Sequence, residues 1–116
     1  MLNTKVDEVE GIIVLRLSGE IDHRSSSQMM NFLLGLLQDD KKKVVIDLGE
    51  VKHIDSTGLG ALVRVKRELV DKKSGYLALG GANDQIEKIL KTTRLDQLLR
   101  LNAKVEEAVD LLKSED

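Results

Sequence analysis

The chain contains no cysteine, which excludes a disulfide framework, a thiolate zinc site and a thiol nucleophile. It has no apolar run near the ~20 residues that a helical membrane span requires, and no basic-then-apolar leader at its start. Those absences predict a cytoplasmic protein without a membrane segment. Large aromatics are nearly missing: Phe32 and Tyr76 are too few to build a base-stacking platform. Nor is there a charge excess, since 18 Lys and Arg stand against 20 Asp and Glu, for a formal net charge of −2. Such a balance attracts neither nucleic acid nor anionic lipid, and Lys41-Lys42-Lys43 reads as a solvated loop after a helix end. No direct nucleic-acid contact is expected. What remains is one domain's worth of chain, residues 1–116, able to bury roughly two-thirds of its unfolded surface without staples.

What is present is an alternation of strand and helix patterns. Residues 5–9 and 12–18 read as two strands joined at Glu10-Gly11, a hairpin signal. In the second, Ile13, Leu15 and Leu17 fall on one face, Arg16 and Ser18 on the other. Gly19-Glu20-Ile21-Asp22 then turns the chain. Ser25-x-x-Gln28 has the form of a capping box, and Met29, Phe32, Leu33, Leu36 and Leu37 keep helical spacing behind it, over about 25–38. The run 44–48 is β-branched and nearly continuous, as in a strand covered on both faces. A helix over 59–70 carries Leu59, Leu62, Val63, Leu69 and Val70 on one stripe, interrupted by Lys66, with Lys72-Lys73 and Gly75 suited to its end. Residues 76–79 read as a strand, and Asn83 as the cap of a helix carrying Ile86, Ile89 and Leu90. Residues 98–101 form a short apolar run, after which Asn102 caps a last helix with Val105, Ala108, Val109 and Leu112. The order β-β-α-β-α-β-α-β-α predicts an α/β fold with a mainly parallel central sheet, an N-terminal antiparallel hairpin and about four helices.

The stretch Ile54-Asp55-Ser56-Thr57-Gly58-Leu59-Gly60 joins the third strand to the helix that follows. Such a junction exposes backbone N–H groups at the helix start, where side-chain oxygens or a phosphate are favoured. In one reading, Ser56 or Thr57 is simply the cap that satisfies those groups. In the other, Ser56 is the group acted upon. Gly58 and Gly60 favour the second, because each costs up to ~1 kcal/mol relative to Ala in a helix while letting another backbone approach. Leu59 is either a core knob or an exposed contact, its place in the apolar stripe pointing to the core. Glu20-Ile21-Asp22-His23 ends the second strand. If strands 2 and 3 are parallel neighbours, Asp22 and Asp55 reach one rim, where ligands and partners of open sheets gather. There Asp22 either orients a hydroxyl or closes a turn.

An enzyme reading finds little to build on. Ser56, a histidine and an aspartate make a triad on paper, but Gly-x-Ser-x-Gly is absent and Asp55 directly precedes the serine. Ser56 separates the acid from Thr-Gly, unlike an aspartic protease, and there is no Gly-x-x-x-x-Gly-Lys-[Ser/Thr] loop. His23 and His53 are the only histidines, and His53-x-Asp55 lacks further metal ligands. No catalytic residue, metal or cofactor is expected.

Gly19-Glu20-Ile21-Asp22, then Asp47-Leu48, then Ile54-Asp55-Ser56-Thr57-Gly58-Leu59-Gly60 together resemble the STAS domain of bacterial anti-sigma factor antagonists, over nearly the whole chain. The resemblance implies a four-helix α/β domain that binds an anti-sigma factor, itself a serine kinase of the GHKL type. It implies that this kinase phosphorylates Ser56 with ATP, and that a serine phosphatase reverses the modification. The unphosphorylated form would capture the anti-sigma factor and free the sigma factor for transcription. Asp22, Asp55, Ser56, Thr57, Gly58, Leu59 and Gly60 are then the partner-binding residues. Two alternatives stay within the family: a small-molecule or nucleotide-binding module using the N–H groups near Gly58, and a subunit of a stressosome-type assembly. The chain departs from the family pattern at Thr92-Thr93-Arg94-Leu95, where many relatives carry a glycine, and at Ser74-Gly75, where a Gly-Gly turn is usual.

Overall fold

The computed structural model describes residues 2–36 and 43–115. Among them, five strands form one sheet in the order β1 (Leu2–Val9), β2 (Ile12–Ile21), β3 (Lys43–Ile54), β4 (Tyr76–Gly80), β5 (Leu101–Asn102). Only β1 and β2 run antiparallel; every later neighbour is parallel. The hairpin turn needs left-handed backbone at both central residues, and Glu10 (φ 52°) and Gly11 (φ 83°) supply it.

Helices α1 (Ser26–Leu36), α2 (Ser56–Lys66), α3 (Asp84–Thr92) and the single turn α4 (Leu95–Leu98) connect the parallel strands. They cover one sheet face, where Leu15, Leu17, Ile46, Leu48 and Leu79 meet Leu33, Leu62, Leu69, Ile86 and Leu90. The last helix, α5 (Val105–Lys113), covers the other, packing Ala108, Val109 and Leu112 on Ile12, Val14, Val45 and Ala78. That two-sided cover is why residues 44–46 read as a continuous apolar run. Beyond the reach of α5 the second face turns polar: the Arg16 guanidinium bonds Asp7 and Asp47, each at 2.8 Å.

Several local expectations are corrected. The Ser25–Gln28 capping box does not form; the Gln28 amide instead donates to the Leu2 carbonyl at 3.1 Å, tying α1 to β1. Asn102 does not cap α5 either. It lies in β5, and the Glu107 carboxylate reaches back to the Lys104 N–H at 2.9 Å. The 98–101 run is not a strand throughout, because the turn at Leu95–Leu98 consumes its start. Lys43 opens β3 beneath Tyr76, its Nζ 5.7 Å from the ring centroid, rather than lying in a loop. Residues 37, 38, 41 and 42 of the expected α1 end and lysine loop lie outside the described residues. The 59–70 helix ends in a π-helical turn, Arg67–Asp71, and Lys66 resolves its polar intrusion by pairing with Asp71 at 3.0 Å.

One residue in each of the two stretches that depart from the resemblance adopts left-handed backbone, Ser74 at φ 58° and Arg94 at φ 62°. An L side chain there crowds its own carbonyl. Arg94→Gly is therefore expected to raise stability by about 0.5–1 kcal/mol net of the extra freedom glycine has when unfolded, read as a higher urea midpoint with an unchanged m-value.

Candidate functional site

β2 and β3 end side by side, with Ile21 paired to Ile54, after register shifts that follow Arg16 and Gly19. The next residues, Asp22 and Asp55, therefore reach the same rim.

At the end of β3, Asp55 stays extended (φ −102°, ψ −177°) and Ser56 is the first helical residue. The Asp55 carboxylate accepts the Gly58 N–H at 2.8 Å, so the cap is Asp55 and not Ser56 or Thr57. With capping done by the carboxylate, the exposed Ser56 and Thr57 hydroxyls form no hydrogen bond among the described residues. Their N–H groups, in the first helical turn, have no partner inside the helix either.

Gly58 is buried, and a Cβ there would lie 2.1 Å from the Ile21 carbonyl oxygen. The backbone that its missing side chain admits is thus this chain's own β2, not a partner's. The same Ile21 carbonyl accepts the Asp55 N–H at 3.2 Å, which locks the helix start to the end of β2. Gly60 differs: it is exposed, with nothing within 4 Å of where its Cβ would be. Leu59 is half-buried, one side packed on the core.

Asp22 closes a turn, and the hydroxyl beside it is that of Ser25. Its Oδ1 accepts the N–H groups of Arg24 (2.9 Å) and Ser25 (3.1 Å), while the Arg24 guanidinium lies 3.3 Å from Oδ2. In return, Ser25 Oγ accepts the Asp22 N–H at 3.0 Å and donates to the Glu20 carbonyl at 2.7 Å. An aspartate three residues before a serine is itself a capping pattern, and it is the signal in the sequence for this turn. Partial burial pushes the Asp22 carboxyl up, but hydrogen bonds from Arg24 and Ser25 and the Arg24 charge outweigh it and bring its pKa down to about 2. A carboxyl depressed in the folded state stabilises above its unfolded pKa and loses that effect as pH falls through the folded one. The Asp22 carbon resonance should titrate near pH 2 rather than at ~3.9. Wild-type stability should fall more steeply than that of Asp22→Asn across the interval between those values.

His23 Nδ1 stands 3.9 Å from Asp55 Oδ2, so the histidine at this rim is His23; His53 is exposed on β3 opposite Glu20. No hydrogen bond joins Ser56 to either histidine among the described residues, and the paper triad is not assembled. Among the described residues no group of three His, Cys, Asp or Glu is placed to hold a metal, and no helix is long and apolar enough to cross a membrane.

The sheet order, the hairpin and a capped strand-to-helix junction carrying Asp-Ser-Thr-Gly-Leu-Gly can be set beside known proteins. The STAS domain family model matches residues 3–108. The chain belongs to the STAS domain family. An anti-sigma F factor antagonist of Paenibacillus polymyxa is 25% identical over 99 residues, covering 84% of each chain. An anti-sigma-B factor antagonist of Staphylococcus aureus is 26% identical over 101 residues, 87% of this chain and 93% of that one. Among solved structures, an anti-sigma factor antagonist from Mycobacterium paratuberculosis superposes with a TM-score of 0.87 at 24% identity, covering 98% of this STAS chain and 96% of its own. The antagonist SpoIIAA in its unphosphorylated form gives 0.70 at 22% identity, over 97% and 99% of the two chains. At these identities the structural likeness establishes the shared fold.

Proposed function

We propose that this STAS domain is an anti-sigma factor antagonist, acting as one domain over residues 1–116, whose switch is phosphorylation of Ser56. The observation that carries the reading is the state of Ser56: an exposed hydroxyl on the first turn of α2, with the capping role taken by Asp55. A kinase can reach it, and a phosphate placed there meets the Ser56 and Thr57 N–H groups and the positive end of the helix. The names of the curated relatives support the partner class, an anti-sigma factor. SpoIIAA, whose fold this chain shares, exists in a phosphorylated form.

In the proposed cycle the chain is a substrate, not a catalyst. Unphosphorylated, it binds an anti-sigma factor of the GHKL kinase type through the rim formed by Asp22, Asp55, Ser56, Thr57, Leu59 and Gly60. The kinase transfers the γ-phosphoryl group of ATP to Ser56 Oγ, ADP leaves, and a serine phosphatase returns the hydroxyl by hydrolysis. Gly58 contributes indirectly, by holding the rim against β2.

The test is incubation with the cognate anti-sigma factor and ATP, followed by intact mass and fragmentation. One phosphate on Ser56, lost in Ser56→Ala while binding persists, is the expected result. Modification of Thr57 or Ser26 instead would overturn the assignment.

A further inference from the structure

β1 is an edge of the sheet, and no described element pairs with its outer side. The two-residue turn decides which of its backbone groups point outward. In such a hairpin the flanking pair, Val9 and Ile12, is hydrogen-bonded. Counting back in twos, Asp7, Lys5 and Asn3 bond inward to Val14, Arg16 and Ser18. Leu2, Thr4, Val6 and Glu8, the alternate positions, then aim their N–H and C=O groups away from the sheet. Gln28 already occupies the Leu2 carbonyl. Thr4, Val6 and Glu8 face outward, and the Val6 side chain is 36% exposed. Natural edge strands are guarded against pairing by charged side chains, proline, bulges or a covering element. Here the two residues flanking Val6, Lys5 and Asp7, share a face and have opposite sign.

We propose that β1 pairs antiparallel with β1 of a second copy of this chain, about a two-fold axis through Val6, joining two five-stranded sheets edge to edge. This register sets Val6 against Val6 of the second copy, with each donating its N–H to the other's carbonyl. It sets Lys5 against Asp7 of the second copy, twice by symmetry, and Thr4 against Glu8. The competing registers fail on charge or on occupied groups. Centring on Lys5 puts Lys5 against Lys5, centring on Asp7 puts Asp7 against Asp7, and centring on Glu8 puts Glu8 against Glu8, each a direct like-charge pair. Centring on Thr4 needs Leu2, whose carbonyl is taken. The Ser56 rim lies on strands further into the sheet, so both copies keep it open.

One strand pair buries less area than a standard interface, so the dimer is weak and reversible. Sedimentation velocity over a series rising to about 1 mM should show concentration-dependent dimer, the range in which weak self-association is visible. Val6→Pro removes the outward N–H without touching the β1–β2 ladder and should weaken the dimer at least tenfold. Lys5→Glu and Asp7→Lys should each do the same alone, by creating like-charge pairs. Mixed in equal amounts they should form a heterodimer, because Glu meets Lys and Asp7 meets Lys5 in that pairing. Asp7→Lys also loses the Arg16 bond; if it does not fold, Val6→Pro and Lys5→Glu decide the question. The proposal is overturned by a wild type that stays monomeric through the series. It is equally overturned by Val6→Pro and Lys5→Glu associating as tightly as wild type, or by folded charge variants that fail to pair when mixed.

Discussion

Gly58→Ala is expected to lower the thermal midpoint by at least about 10 °C, although alanine is the better helix former by ~1 kcal/mol. The added Cβ would sit 2.1 Å from the Ile21 oxygen and 2.8 Å from its carbonyl carbon, well inside van der Waals contact. Neither atom is the tip of a flexible side chain. Both belong to the last residue of β2, which is held by its pairing to Ile54 and by the Asp55 N–H. Relief requires α2 to lift from the sheet, straining the Asp55 cap and the packing of Leu62 and Val65. Overpacking of this kind costs on the order of 3 kcal/mol, more than the propensity gained. Gly60→Ala, two residues on, is the internal control. Its Cβ enters open space, so it should stabilise by roughly 0.5–1 kcal/mol. Differential scanning calorimetry of the two variants should show midpoint shifts of opposite sign; a shift upward in both would refute the close-packing argument.

The second large effect belongs to the proposed switch. Phosphorylation of Ser56 is expected to weaken binding to the cognate anti-sigma factor at least ~100-fold. The phosphate adds about −1.5 to −2 charge next to Asp55. Against one acidic group of the partner at ~6 Å and an effective dielectric of ~20, the gross repulsion is about 5 kcal/mol, before screening reduces it. Ser56→Asp carries half to two-thirds of that charge and should show a smaller loss, roughly tenfold, by titration calorimetry. The fold should not register the change, since the helix start tolerates an anion. An unfolding midpoint that moved by as much as the Gly58→Ala variant's would mean the switch works by unfolding rather than by blocking docking.

These two glycines show what sequence can and cannot convey. The Gly-x-Gly pattern in a helix start is legible as a cost in helix propensity, but that Gly58 needs the empty space while Gly60 does not is not legible. Nor is the backbone that fills it, because the answer lies in Ile21, far away along the chain. The caps show the same limit. Asn83 is readable as a cap, and it accepts the Ile86 N–H at 2.8 Å. Ser25 and Asn102 mislead because the turn before α1 is closed by Asp22 on the Arg24 and Ser25 N–H groups, and the start of α5 by Glu107 on the Lys104 N–H. Only the path of the neighbouring strand decides this. The second face of β3 is legible as a hydrophobic run, whereas its cover, α5, comes from the other end of the chain.

By itself the sequence determined the class of fold, the element order and the motif at residues 54–60, because periodicity and turn residues act over a few positions. The tertiary structure decided that Asp55 caps α2 and leaves Ser56 exposed, that Gly58 serves β2, and that His23 rather than His53 faces the site. Each of these depends on how β2 and β3 are registered, and a register is set by the packing of whole faces rather than by any local run of residues.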